Sequence, residues 1–476
     1  MVAAALLGVG VSRTPQAKAA NLYWDSDGTS GNLATDGGGT WASLATTNFF
    51  DPLKPLQADG AATNADIAYF GYSTGAGGTV NVDSSFTIGG LVFGPTLGSN
   101  VASGYTLSAS APGSTLTVGA SGISLNAGGL ATTVGSANLS LALGAAQSWI
   151  NNSSNNLTIA GSITNGANLL TLQATSGGNL TVSGSIIGTG SGGLTVNNTG
   201  TGRVIISGTN TQSGTTTLQA GNLRAITPSA LGTGGLTLSG GVLQLIGGQT
   251  YGFGTTTVGG NTTIWSDNTA AGAGTTATMG ALSLGAFTLT STAGANVSSG
   301  TAGVTFGATT LTSSSAVLNT NNSFFVSGVN ALTTLGSLTG TFNLAIGGTG
   351  NTAITGAVTT STGTITKNGA GTLTLSGANT TTGALTINGG SVVISSGGTL
   401  GGTQALTFGA ANAGGGTFNF NIASTAAVQS LGALSFLGGD GTVQSTYGSA
   451  TGNGGLTFAS LVARTAGATG NFIVSG

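Results

Sequence analysis

The feature that most constrains this chain is a two-residue alternation cut every few residues by glycine. In Thr372-Leu373-Thr374-Leu375-Ser376 the leucines fall on one side and the hydroxyls on the other, the period of a half-buried strand. Gly377 and Gly383 bracket a polar turn, Leu385 and Ile387 alternate again, and Gly389-Gly390 precedes Val392 and Ile394. Gly397-Gly398 ends that stretch. The reading is three short strands with a glycine corner after each, glycine supplying the positive φ that corners require. No segment carries a capped apolar stripe of period 3.6, so almost no helix is expected.

The pattern repeats. Shifting the sequence by 169 places lays Gly200–Ala225 on Gly369–Ile394 without a gap, with 9 of 26 positions identical, five of them glycine. Inward positions match in kind: Val204 with Leu373, Ile206 with Leu375, Leu218 with Ile387, Leu223 with Val392. Leu231-Gly232 then answers Leu400-Gly401, and Leu243-Gln244-Leu245 answers Phe418-Asn419-Phe420. Strands this short cannot bury a face alone and must stack on neighbours about 4.8 Å away. At roughly 20 to 25 residues per coil, the body from residue 76 to 476 predicts about 16 to 20 coils and a rod of about 80 to 95 Å. The fold class expected is therefore all-β, a β-solenoid. A hairpin sandwich ranks below it, because the longer strands of a sandwich are missing and the body exceeds one such domain.

Composition narrows the function. Of 476 residues only seven are Lys or Arg and nine are Asp or Glu, and there is neither histidine nor cysteine. That excludes an imidazole base, a thiolate nucleophile, the usual zinc site and a disulfide framework. Seven scattered cations give no footprint for a phosphate backbone, so no nucleic-acid partner is expected. Mean hydropathy is +0.35, yet downstream of the N-terminus no run approaches the about 18 apolar residues of a spanning helix. Thr, Ser and Asn on the outward positions suit strands that stack without charge repulsion.

Three regions are expected. Residues 1–20 read as a signal peptide, from the apolar run Ala3–Val11 and the Ala17-Lys18-Ala19 site, with the basic n-region missing or upstream. Residues 21–75 form a distinct N-terminal capping segment. Seven of the nine aspartates lie before residue 84, among Trp24, Trp41, Phe49, Phe50, Tyr69 and Phe70. Residues 76–476 form the solenoid, expected to continue beyond Gly476 because Asn471–Gly476 is still strand-like.

Lys367–Gly402 resembles the autotransporter-associated β-strand repeat, also called the passenger-associated transport repeat. The likeness is carried by Gly-x-Gly-Thr-Leu-x-Leu-Ser-Gly-x-Asn-Thr, a following Gly and a Gly-x-Val strand. Residues 197–245 resemble a more divergent copy, Arg203-Val204-Ile205-Ile206 replacing Thr-Leu-Thr-Leu. Tyr23-Trp24-Asp25-x-Asp27-Gly28 with Gly37–Trp41 is similar to the segment that often precedes such arrays. The resemblance implies a right-handed parallel β-helix, exported to the cell surface or medium as a passenger stalk, structural or adhesive. It also implies export machinery or an outer-membrane translocator outside this chain, since no run of about ten-residue alternating strands with aromatic girdles is present. Extracellular polysaccharide or a host or cell surface is the partner class it suggests.

Candidate sites are few, and no catalytic, cofactor or metal residue is expected. Counting from Asp25, a calcium loop would place Gly at position six and Glu at twelve, whereas Ser30 and Asp36 stand there, so turn-forming aspartates are the better reading. A carbohydrate-active β-helix would need paired carboxylates. The body offers only Asp267 and Asp440, so such a site would have to lie in the opening segment or beyond Gly476. Thr115/Thr117, Thr288/Thr290 and Thr372/Thr374 would make an ice-binding array only if aligned on one flat face, and their spacing is irregular. Sequons between Asn151 and Thr158 are ascribed to Asn/Ser/Thr richness.

Overall fold

The computed structural model describes residues 20–27, 36–44, 48–50, 62–71, 76–95, 103–188, 190–395, 397–410, 414–422, 428–447 and 455–475. The signal segment, apart from Ala20, lies outside them. The described residues contain strands and turns and no α-helix. They wind as a β-solenoid. One coil shows the plan: Leu157–Ile159 on a first face, Ile163–Thr164 on a second, Leu170–Ala174 on a third, then Leu180–Val182 back on the first. Leu157 pairs in parallel with Leu180 one coil on. The first face is an open ladder of eighteen strands from Gly39–Trp41 to Gly455–Leu461, about 80 Å of rungs.

Burial follows the alternation. Leu139–Leu143 and Leu170–Ala174 each bury every second residue. Along the first face Leu157, Leu180, Val204, Leu223, Leu243 and Ile264 stack in register, every one fully buried. Such columns form one continuous core cluster, and at about 25 cal/mol per Å² each rung stabilises its neighbours rather than itself. The opening residues join this stack. Asn21–Trp24 pairs in parallel with Ile67–Phe70, and Gly39–Trp41 with Thr79–Val82. Phe49–Phe50 lies antiparallel on the outer edge of Asn21–Trp24. There Trp24, Trp41, Phe49 and Phe70 fill the first coils, with ring centres 5.0 to 6.5 Å apart.

Coil length varies. Arg203 stacks on Asn222 after a short coil, whereas Leu289 reaches its partner Leu318 only after a longer one. The longer coils bulge sideways into a ledge. Gly272–Ala273 pairs there with Val297–Ser299, over a second small cluster of Ala293, Val297, Ala302 and Val329. Asp267 roots the ledge, accepting from the Asn296 N–H (2.8 Å) and the Gln244 side-chain amide. Arg224 Nη2 donates to the Asn268 carbonyl at 3.0 Å. Beside the ledge the interior turns polar: Ser291 and Thr320 continue the Ile264 column. Thr320 Oγ1 donates to Thr333 Oγ1 (2.7 Å) and shares a hydrogen bond with Thr352 Oγ1 (3.0 Å). The alternation does not reveal these inward hydroxyls, because it reads threonine as an outward residue by default.

Candidate functional site: the two repeat coils

Asp25, Asp36 and Asp66 each tie neighbouring segments together. Asp25 is buried, its N–H donating to Asn48 O (2.8 Å) and its Oδ1 accepting from Asp27 N–H (3.3 Å), an Asx-type turn. Asp36 Oδ1 accepts from the Tyr105 hydroxyl at 2.9 Å. Burial, then the Asp36 charge, pushes that phenol well above its usual pKa. Asp66 ties Ala20 N–H to the Thr63 N–H and hydroxyl, each at 2.7 to 2.8 Å. Ser30, sixth in the calcium-loop count, lies outside the described residues. Among the described residues no three of His, Cys, Asp and Glu converge. Asp267 is buried and Asp440 exposed, seven rungs apart, a span of about 34 Å, so they do not form a pair. The threonine pairs do not align either: Thr117 stacks on Ala142 and Thr374 on Val393. Asn151, the first sequon asparagine, is buried, with its amide nitrogen donating to Asn155 O and Asn179 O.

The two repeats carry buried polar bridges of their own. In each, the first and last strands of the motif are neighbours in one ladder. Arg203–Ile206 stacks on Asn222–Ala225, and Thr372–Leu375 on Ser391–Ile394. Both coils close with the same offset, Arg203 over Asn222 and Thr372 over Ser391, and the aliphatic pairs Val204/Leu223 and Leu373/Val392 face inward. The copies do not share a face. Arg203–Ile206 belongs to the first face, and Thr372–Leu375 to the second, in the sheet that also holds the third.

Between these strands each repeat carries a buried asparagine that replaces ladder hydrogen bonds where strands give way to a turn. Asn210 Oδ1 accepts from the Ile186 N–H (2.7 Å) of the preceding coil, and its Nδ2 donates to Ala230 O (2.6 Å) of the next. Asn379, the counterpart in the second copy, repeats the arrangement. Val358 N–H donates to its Oδ1 (2.8 Å), and its Nδ2 donates to Thr399 O (2.7 Å) and Gly377 O (3.0 Å). A side-chain amide has an acceptor and two donors in one plane, so it bridges two coils as a peptide group would. The shifted alignment holds the signal, an Asn kept in a turn where Ser207, Gly208, Thr211 and Gly214 also match their counterparts. Composition hides it, because asparagine is a common turn residue. Asn379→Ala should leave the Val358 N–H unpaired, while the Thr399 and Gly377 carbonyls keep their backbone donors, and destabilise the rod by about 2 kcal/mol. Thr374→Ala, on an outward position, should change stability by less than about 0.5 kcal/mol. Urea midpoints of the two variants check this.

Just before the aligned span, one buried polar position differs in chemistry between the copies. Asn198 bridges the Ala174 N–H and Asn222 O; its counterpart is Lys367. Only 1% exposed, Lys367 points inward between Ile346 and Ile387. Its Nζ donates to Asn368 O (2.7 Å) and Gly369 O (2.9 Å). Burial holds its pKa down to about 8. Alternation places Lys367 inward, but no sequence rule expects a lysine there.

These coils are also where the chain is similar to known sequences. A family model described as passenger-associated-transport-repeat matches residues 199–225 and 365–394. No curated protein and no solved structure matches the chain.

Proposed function

We propose that this chain is a non-catalytic stalk of autotransporter passenger type, secreted or held on the outer surface of a bacterial cell, with a structural or adhesive role. The observation that supports it best is that both matched repeats close a coil in the same register with the same asparagine bridge, inside one uninterrupted stack. A passenger must add coils one after another as it emerges, and a stack in which each coil bonds only to its neighbours suits that order. On this reading residues 1–20 direct export, residues 21–75 blunt the first rung, and the translocator is supplied from outside the region described. Uncharged hydroxyls on the outer faces suit contact with neutral surfaces, polysaccharide or cell coat.

The test is antibody labelling of intact producer cells, with the medium assayed in parallel. Folded rods about 80 Å long on the surface or in the medium are expected. Retention inside the cell, or hydrolysis of a polysaccharide by the purified chain, would sink the proposal.

A further inference from the structure

An asparagine followed by glycine is open to attack by its own chain, because glycine puts no Cβ between the next backbone nitrogen and the side-chain amide. Among the described residues the pair occurs as Asn165-Gly166, Asn368-Gly369 and Asn388-Gly389. The last two lie one coil apart in the second repeat, where Lys367 stacks on Ile387.

Two donors converge on Asn368. Asn388 Nδ2 donates to its side-chain Oδ1 at 2.9 Å. The buried Lys367 Nζ donates to its backbone carbonyl at 2.7 Å and to Gly369 O at 2.9 Å. The first bond draws electrons from Cγ and aims at the oxygen where charge gathers when a nucleophile adds there. The second is charge-assisted and draws electrons from the Asn368–Gly369 peptide, so the Gly369 N–H gives up its proton more readily. Gly369 is exposed, at a φ of +75°, and its N–H meets no acceptor among the described residues.

The other two pairs lack this setting. Asn165 Oδ1 and Asn388 Oδ1 are buried without a donor, and the Asn165 carbonyl accepts from the neutral Asn168 N–H at 2.9 Å. Their amide nitrogens are tied down as well, Asn165 Nδ2 by Gly192 O (3.0 Å) and Asn388 Nδ2 by Asn368 Oδ1.

We propose that Asn368 is a self-modification site, where the chain converts its own amide to a carboxylate. The Gly369 nitrogen loses its proton to water and bonds to Asn368 Cγ. The Cγ–Nδ2 bond breaks, and the nitrogen leaves as ammonia after taking a proton from water. A second water opens the cyclic imide to aspartate or isoaspartate, so one water is consumed and one ammonia released, with no redox change. In isoaspartate the free carboxylate is the former Asn368 backbone carbonyl, the group that Lys367 already holds. The buried ammonium thereby gains a counter-charge, in a stretch with no acidic residue between Asp267 and Asp440. The site does not depend on whether the chain is an exported stalk.

Peptide mapping by mass spectrometry of the full chain, aged at neutral pH with ammonia release followed in parallel, tests it. In the folded chain Asn368 should exchange amide for acid at least about tenfold faster than Asn165 or Asn388. In urea, where the donors are gone, the three should react alike. Lys367→Met and Asn388→Ala should each slow Asn368 while circular dichroism shows the strands intact. The sign separates chemistry from structure, because a coil merely loosened by either substitution reacts faster. The comparison of folded and unfolded parent chain holds even if a variant folds poorly. Asn368 reacting no faster than the other two in the folded chain, or a folded variant reacting as fast as the parent, would overturn the proposal.

Discussion

Replacing Gly371 by alanine should cost the rod at least about 3 kcal/mol and open it at the second repeat. The reason is backbone proximity. A Cβ at Gly371 would sit 1.7 Å from the carbonyl oxygen of Gly350 in the coil below, and neither partner is a flexible side chain. The equivalent Gly202 would meet Gly178 O at 2.2 Å. Gly377 and Gly383 stack the same way over Gly356 and Gly363, at 2.3 and 2.2 Å. To admit a methyl group the coils must part, breaking the Gly371 N–H to Gly348 O hydrogen bond (3.1 Å) and the adjoining Leu373 to Thr352 register. Gly402→Ala is the control: nothing lies within 4 Å of its Cβ, so it should change stability by less than about 0.5 kcal/mol. Urea unfolding together with limited proteolysis decides the matter. Cleavage between residues 348 and 371 should appear in the Gly371 variant alone. Equal midpoints for the two variants would show that the coils tolerate separation.

That comparison corrects one sequence expectation. Local turn rules assign glycine to positive φ at corners, and Gly390 and Gly221 do serve there, at +67° and +73°. Gly371, Gly377 and Gly383 are not in that region. They recur because glycine in one coil lies over glycine in the coil before it, a contact between residues a whole coil apart that turn rules do not consider. The strands themselves were legible: Leu373/Leu375, Leu385/Ile387 and Val392/Ile394 face inward as the period of two requires. The face each repeat occupies was not. A short strand with two inward positions fits any face of the coil, so sequence specifies how the coil closes and leaves rotation to whatever coils precede it. The ledge escaped for a related reason, since Asn321–Asn330 has turn chemistry but no marker of which rung it leans on. Of the candidate sites, the aspartate turns were readable from Asx chemistry. The asparagine bridges and Lys367 required knowing which backbone groups each coil leaves unpaired.

Lys367 makes the second large prediction, because it is the only ionisable side chain between Asp267 and Asp440. Nothing on the strands packed around it (Leu344–Gly347, Asn351–Ile354, Thr372–Leu375, Leu385–Ile387) titrates. Its folded pKa of about 8, against 10.5 unfolded, means that the unfolded chain holds the extra proton between those values. Stability should therefore be fully expressed above pH 10.5, fall as pH drops toward 8, and level off below it. The proton penalty on the folded state at neutral pH is roughly 3 kcal/mol. Tyrosines oppose the trend at its upper end. Burial raises Tyr251 to about 12 and lifts Tyr105 and Tyr69 as well, so the unfolded chain ionises first and stability falls as pH climbs past 10. The two slopes meet near pH 10, which should be the stability maximum. Lys367→Met keeps the length of the side chain and removes the proton. It should abolish the rise between pH 8 and 10 while retaining the fall above it, and it should stabilise the rod at pH 7, less whatever the uncapped Asn368 and Gly369 carbonyls cost. Urea midpoints measured from pH 7 to 11 separate the contributions. A rise that persists in Lys367→Met would mean that another group takes up the proton, and a parent chain without the rise would mean that this lysine keeps its ordinary pKa in the folded coil.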